Sequence, residues 1–407
     1  MNLQDLIPLF RASRYAQAAS PGALLPIVYG DMSTDAGLGG VCPGVSINQL
    51  TWTYLVSDSA CQSIDKVYLN DIEQTAGFTV NPDVDYQSTG RRVAIVTFTV
   101  NPGGAQVSVR MKGTKEPIGG ALITNPIRML QHFFTTYGTW QTTDFDTTIY
   151  QAAVALANSQ GYTAHWIFAE ERTYKEWLTD VFYNVIGDHF RSADGTLLIF
   201  LDHILGASPL EELAAYVVAK RDLAGDVPEA SIELVWDDDN LMNSVILRYQ
   251  YRWHDTDPAT QYAADLRDVD RRSVSRFGEA QRPFSFKGVR TFTHASALKA
   301  LLLARYAHGP ALARFTMRDL SLLPVRPADH LSLSWDWGPR DGLDNPYRNE
   351  IVKVLNIRTD LTQYTQEFEC LDTGLALVLT RPLDGTHALD GTHMFGPRDL
   401  TIHALEG

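Results

Sequence analysis

Between residues 25 and 120 the chain is built from short runs in which apolar and polar residues alternate, with Gly, Pro, Asn and Asp between them. The runs "INQLTWTYLVS", "IDKVYLNDIEQ", "RRVAIVTFTVN" and "AQVSVRMKG" carry β-branched and aromatic residues at period two. That is the pattern of strands with one buried face, and it predicts an antiparallel sandwich or barrel. The "NPGG" at 101–104 supplies a turn between two such strands. After "GDVPEA" the same texture returns in "SIELVWDDDNLMNSVILRYQYRW", which is expected to pair with itself across Asp237, Asp238, Asp239 and Asn240. It continues in "FTMRDLSLLPVRPADHLSLSW", "NEIVKVLNIRTDL", "QYTQEFECLD" and "ALVLT".

Helical signals cluster between these two β-rich regions. "TNPIRMLQHFFTTYG" has Thr124 or Asn125 to cap it, Pro126 for its first turn and Gly138 to stop it. A second helix is expected over about 146–160 and a strand at "YTAHWIFA". A third helix runs from Thr173 to Gly187, followed by a hairpin in "HFRSADGTLLIFLD". "SPLEELAAYVVAKRD" has Ser208 as cap, Pro209 next and Glu211 at the third position, a capping box. A polar helix is expected over about 258–272 and another over 293–308. At the N-terminus, Leu3, Leu6, Ile7 and Phe10 fall at helical spacing. They predict an amphipathic helix over 1–20, packed on its own domain or docking on a neighbouring subunit.

The expected class is therefore α+β: two antiparallel β-barrel-like domains flanking a mixed α+β module, with an N-terminal helix. The boundaries are 1–21 for the helix or arm, 22–120 for the first barrel-like domain and 121–225 for the α+β module. The second barrel-like domain, with inserted helices, takes 226–380, and 381–407 is a C-terminal extension. A chain of 407 residues has room for several such units.

Composition excludes several functions. The longest apolar runs are far short of the roughly 20 residues that cross a bilayer, so no membrane span is expected. "MNLQDLIPLFRASRYAQAAS" lacks a basic region followed by an apolar block, so no secretory leader is expected. Cys42, Cys61 and Cys370 are odd in number, widely spaced and without a CxxC, the pattern of buried free thiols. The net charge of −14 comes with no Lys/Arg cluster of the kind that grips phosphates. Like charge does suit a surface that nucleic acid passes without sticking.

Catalytic signatures are absent: the chain has no P-loop, GxGxxG, GxSxG or HExxH. Asp237–Asp239 read as a solvated hairpin tip, and Asp255, Asp257, Asp265, Asp268 and Asp270 as a solvated helix with its approach. His387 and His393 come from a DGTH that occurs twice; their spacing of six matches no standard helical metal site. No cofactor, metal site or enzyme activity is expected.

The order of elements resembles that of the baseplate hub and tail-tip proteins of tailed bacteriophages: the hub core of long-tailed siphophages and the equivalent myophage hub. In that family an "NP…L…YG" helix opens the central module, matched here by Asn125, Pro126, Tyr137 and Gly138. A "DG.L.." hairpin follows, matched by Asp194 and Gly195. An "S…YG" element precedes a helix, matched by Ser275, Phe277 and Gly278. The closing strands carry a "..L.PGD.V.V" turn, where Pro327, Ala328 and Asp329 stand with Ala in place of the usual Gly. "LPIVYGD" at 25–31 also resembles the opening segment of some tail-tip proteins, and the likeness covers most of 25–375.

The resemblance implies a structural virion protein, not an enzyme. It implies a homotrimer whose two barrels per chain form a six-barrel ring adapting the tail tube to the distal tip. The implied partners are the tail tube or distal tail ring, the tape measure protein and a central fibre or spike. Genome DNA would pass through the lumen without specific binding. The implied location is the virion tail tip, after assembly in the host cytoplasm. The alternatives are a distal tail protein that binds a receptor or carbohydrate, and a tail-associated cell-wall hydrolase.

Overall fold

The alternating runs of the first region pair as antiparallel strands. The structure, a computed structural model, describes residues 3–33, 39–88, 90–117, 119–191, 196–201, 216–219, 232–236, 241–253, 255, 257–307, 311–317, 325, 329–340 and 346–376. The chain divides into two compact units: 1–202 with 246–266 and 283–298, and 203–245 with 267–282 and 299–407.

In the first unit, β1 is Ile27–Tyr29, β2 Cys42–Pro43, β3 Val45–Asn48, β4 Thr53–Ser57 and β5 Cys61–Leu69. β6 is Ile72–Gln74, β7 Phe78–Asp85, β8 Arg92–Phe98 and β9 Val107–Thr114. They form two four-stranded sheets, ordered β2-β9-β5-β6 and β3-β4-β8-β7. Cys42, Cys61, Val67, Val109 and Met111 of one sheet meet Val56, Ala94, Val96 and Phe98 of the other in a shared core. The second sheet is buried on its other face too: Ile47, Leu55, Val93 and Ile95 pack under Ala12, Tyr15, Ala18 and Leu25. That is why "RVAIV" is a continuous apolar run rather than an alternating one.

The segment that covers this face is not the expected helix. Residues 3–24 form no α-helix: one 3₁₀ turn at Ala12–Arg14 stands among turns, bends and the isolated bridges of Leu6, Arg11 and Gln17. Ile7 and Leu9 are buried, whereas Leu6 and Phe10 are exposed by 62% and 38%. Leu3 is half-buried. Pro8 explains the correction, because inside a helix its ring removes a donor and clashes with the preceding turn. The backbone groups find partners elsewhere: Ile7 N donates to Arg172 O at 3.0 Å, Leu25 N to Phe10 O at 2.8 Å and Gln49 N to Gln17 O at 2.9 Å. This segment is called the strap below.

The α+β module follows. α1 is Pro126–Thr136, α2 Thr147–Ser159 and α3 Tyr174–Tyr183; β10, Trp166–Phe168, pairs antiparallel with β1. β11, Gly187–Arg191, and β12, Leu197–Leu201, form the expected hairpin. α1 buries Ile127, Met129, Leu130, Phe133 and Phe134. Phe133 stacks on Phe168 at 3.8 Å and meets Trp177 of α3 edge-on. Asp146 caps α2, and Thr173 with Glu176 closes a capping box on α3.

β13 (Tyr216–Ala219) and β14 (Ile232–Trp236) precede a three-stranded sheet of β15 (Ser244–Tyr251), β16 (Tyr262–Val269) and β17 (Gln281–Ser285), ordered β16-β15-β17. α4 is Arg271–Phe277 and α5 Phe292–Tyr306. The second unit holds a six-stranded sheet that includes β18 (Ala311–Met317), β19 (His330–Arg340), β20 (Pro346–Asp360) and β21 (Thr365–Ala376). Its order is β13-β19-β20-β21-β18-β14, and it curls into a half-barrel with β14 approaching β19. Phe315, Met317, Leu331, Leu333, Val352, Val354, Phe368 and Cys370 fill its concave core.

Three further expectations are corrected. Residues 216–219, placed in a helix by the capping box at 208–211, form β13 and pair parallel with β19. "YVVA" is β-favouring, and strand pairing overrides a local capping signal; residues 203–215 and 220–231 lie outside the described residues. β14 does not pair with β15 across the Asp237 segment, itself outside the described residues. It pairs with β18, Ile232 opposite Phe315, a partner some eighty residues away. The polar helix at 258–272 is a turn leading into β16, whose Asp265 and Arg267 face outward at period two.

Candidate functional site

A set of chemically able side chains gathers around "SDSAC", 57–61, from the end of β4 to the start of β5. Four groups there form a closed ring. Val28 N donates to Ser57 Oγ at 3.1 Å, and Thr114 Oγ1 donates to Val28 O at 2.7 Å. Each hydroxyl has one proton, so Ser59 must donate to Thr114 Oγ1 at 2.7 Å and Ser57 to Ser59 at 2.9 Å. The ring stitches β1, the 57–59 loop and β9, and it occupies every hydroxyl proton. The Cys61 thiol donates to Ser59 O, and burial pushes it up to about 12, so it stays protonated and unreactive.

Asp58 stands beside the ring with 1% of its surface exposed. Its backbone is held on both sides: N donates to Pro26 O at 2.7 Å, and its carbonyl accepts from the Tyr137 hydroxyl at 2.7 Å. Its carboxylate has no hydrogen-bond donor. Two guanidiniums approach without closing on it: Arg14 at 3.7 Å and Arg91 at 3.5 Å. Burial pushes its carboxyl up to about 6, with Arg91 and Arg14 pulling the other way. The Phe10 ring lies between the same guanidiniums, 4.0 Å from Arg14 and 4.5 Å from Arg91, and Arg91 also lies 4.4 Å over Tyr137. The Tyr29 hydroxyl and His132 Nδ1 share a hydrogen bond of 2.7 Å, and burial holds that histidine down at about 4, so it is neutral. No group here is arranged as an activated nucleophile. The cluster is a joint between the strap, the first sandwich and α1.

A second buried joint holds β10 to the residues after β1. His165 Nδ1 donates to Asp31 O at 2.9 Å, its Nε2 accepts from Thr163 Oγ1 at 3.1 Å, and burial pushes it down to about 3. His294 Nδ1 bonds Thr163 O at 3.0 Å and is held at about 4. Gly30, of "VYGD", has φ +77° and sits where a Cβ would lie 2.1 Å from Ala164 O. Among the described residues no group of three or more His, Cys, Asp or Glu could hold a metal ion, and no helix is long and apolar enough to cross a membrane.

The residues singled out in the sequence separate into two sets. Asn125, Pro126, Tyr137 and Gly138 come together on α1. Asn125 Oδ1 accepts from Ile127 N and Arg128 N, and its Nδ2 donates to Val154 O and Asn158 Oδ1 of α2. Gly138 leaves space for Tyr174, whose hydroxyl accepts from Thr139 N at 2.6 Å. In the second unit, Ser275 donates to Arg272 O within α4, Phe277 is exposed by 44%, and Gly278 ends the helix at φ +81°. The Asp329 carbonyl accepts from Val354 N at 2.9 Å. Asp194, Gly195 and Pro327 lie outside the described residues, as do the DGTH pair and the C-terminal extension.

The acidic residues of 255–270 serve local structure: Asp255 accepts from Asp257 N and Thr260 Oγ1, Asp268 pairs with Lys299 at 2.7 Å, and Asp270 caps α4. Sequence reasoning did not find Arg14, Asp58 or Arg91. The available signal was a charged residue inside a polar triplet between two buried runs.

No family model and no curated protein matches the chain. It is similar to solved structures of phage tail proteins. One is a tail protein from Neisseria meningitidis, with 13% identity over 85% of this chain and 96% of that one, at a TM-score of 0.34. Another is a prophage tail protein from Listeria monocytogenes, with 10% identity over 85% and 94% and a TM-score of 0.32. A third is the tail protein of prophage MuSo2 from Shewanella oneidensis, with 10% identity over 86% and 89% and a TM-score of 0.34. At these identities and TM-scores the likenesses carry no inference about fold or function.

Proposed function

We propose that the chain is a structural virion protein, the trimeric hub of a phage tail tip that adapts the tail tube to the distal tip and lines the channel for DNA. The observation that carries the reading is the use of the motif positions. Most of those within the described residues do backbone work: Asn125 and Pro126 start α1, Gly138 admits Tyr174, Gly278 ends α4 and Asp329 receives Val354 N, while Phe277 is an exposed ring. Residues arranged this way make a shape rather than a reaction. In this reading the stacked sheets of 22–120 and the half-barrel, which adds β13 (Tyr216–Ala219) to strands of 226–380, are the two barrel-like blocks of each subunit. Three chains would complete a ring of six, and the acidic balance of −14 would keep DNA off the wall.

The test is the mass of the purified protein in solution, alone and with the distal tail ring. Three copies per particle are expected; the isolated trimer is weak if the ring supplies part of the interface. A tightly closed dimer in the assembled particle overturns the reading.

A further inference from the structure

We propose that the strap, residues 3–24, is proton-gated: it seats most tightly on the first sandwich when the Asp58 carboxyl carries a proton, and it opens locally when that carboxyl ionises. The geometry of the seat is the argument. Asp58 is 1% exposed and both its oxygens lack a donor. Its nearest cations, Arg14 and Arg91, stand at 3.7 and 3.5 Å, outside ordinary hydrogen-bond length. A carboxylate taken from water and given no hydrogen bond is costly even beside a cation.

Part of what shuts Asp58 in is the strap itself. Arg14 and Phe10 lie against the cluster, while Tyr15 packs on the apolar face of the β3-β4-β8-β7 sheet. Lifting the strap returns water to the carboxylate, so the open form prefers the ion and the seated form prefers the acid. Arg14 and Arg91 are partly exposed, at 24% and 19%, and rest on the Phe10 and Tyr137 rings, so they keep favourable surroundings when Asp58 is neutral.

The groups facing Asp58 leave it as the titrating one. Arg14 and Tyr15 come from the strap, Arg91 from the residue before β8 and Tyr137 from the end of α1; behind them His132 lies near Arg91, Tyr29 near Tyr137 and Arg91, and Tyr86 packs against Tyr15. The phenols of Tyr15, Tyr29 and Tyr137 are pushed up by burial. His132, held at about 4, stays neutral in the range where Asp58, at about 6, changes state. The linkage sign follows: the seated form binds the proton more tightly, so acidification seats the strap and raising the pH loosens it.

Backbone hydrogen exchange over residues 3–24, corrected for the intrinsic chemical rate, reads the opening equilibrium directly. In wild type the opening constant should rise about tenfold between about pH 5 and about pH 7 and then level off. Asp58→Asn, which keeps the shape and removes the charge, should stay closed and flat across that range. Arg14→Met removes one counter-charge and should move the wild-type midpoint upward. A flat wild-type profile overturns the proposal, as does an Asp58→Asn profile that rises like wild type. Should Asp58→Asn fail to fold, the Arg14→Met midpoint decides: unmoved or lowered, it overturns the proposal.

Discussion

Replacing Asn125 tests whether the first motif residue caps one helix or ties two together. Its side chain is 6% exposed and makes four hydrogen bonds: 3.0 and 3.3 Å to the N-terminal amides of α1, 3.0 Å to Val154 O and 2.9 Å to Asn158 Oδ1 in α2. Asn125→Ala loses the cap, about 1 kcal/mol, and two buried bonds to α2 at about 1 kcal/mol each. The expected loss is therefore about 3 kcal/mol, a large part of a typical domain's stability. Asn125→Asp separates the two roles. Aspartate caps as well as asparagine, so a pure cap would cost almost nothing. As a tie it would lose its donor and set an oxygen against the Val154 carbonyl, and we expect a loss of about 2 kcal/mol. Urea unfolding followed by tryptophan fluorescence measures both variants, since Trp140 and Trp177 are buried in this module. The reasoning is refuted if Asn125→Asp is neutral while Asn125→Ala costs only about 1 kcal/mol, the value of the cap alone.

Gly138→Ala should cost about 2 kcal/mol, within the range for overpacking, because the new Cβ would sit 2.1 Å from Tyr174 Oη and 2.6 Å from Phe134 O. Adding Tyr174→Phe should recover part of that loss in thermal melts, and no recovery would place the strain elsewhere. Stability should fall on acidification. His132, His165 and His294 are held neutral at about 4, about 3 and about 4, so the unfolded chain binds more protons below its own value of 6.5. Each then removes about 2 kcal/mol between about pH 7 and about pH 5, while Asp58 returns about 1 kcal/mol with the opposite sign. Unfolding midpoints that stay flat over that range would contradict this sum. In the hub reading, changing to Lys the acids that line the channel, for which exposed Asp265 is a candidate, should leave assembly intact and slow genome ejection, more so at low salt. An axial surface dominated by Lys and Arg in an assembled particle would remove the basis for that expectation.

What was legible in the sequence was what local chemistry decides. Asn125 and Pro126 start a helix because of what an Asn side chain and a Pro ring do to the next few residues. The β20–β21 hairpin follows from alternation on both sides of a turn at Asp360, which accepts from Thr362 N and Gln363 N. The misreadings have a common origin in distant partners. β14 has the look of a hairpin arm until β18 arrives, and "YVVA" passes for helix until β19 gives it a parallel neighbour. The strap's apolar spacing fitted a helix, yet Pro8 was already a reason to doubt it. Asp58 acquires meaning only when residues 14, 91 and 137 converge on it, and no spacing rule relates those four numbers.

The double burial of β8 has a consequence for the order of events as the chain is made. Ala12, Tyr15 and Ala18 leave the ribosome before their seat on Val93 and Ile95, which does not exist until some eighty further residues have followed. At a synthesis rate of roughly 5–20 residues per second the strap waits for several seconds with nothing to cover. Throughout that interval its apolar side chains are free to meet other chains on the same messenger, and when the sandwich closes, one face of its second sheet stays bare until the strap returns. The strap is thus made before its seat and placed only after that seat has formed.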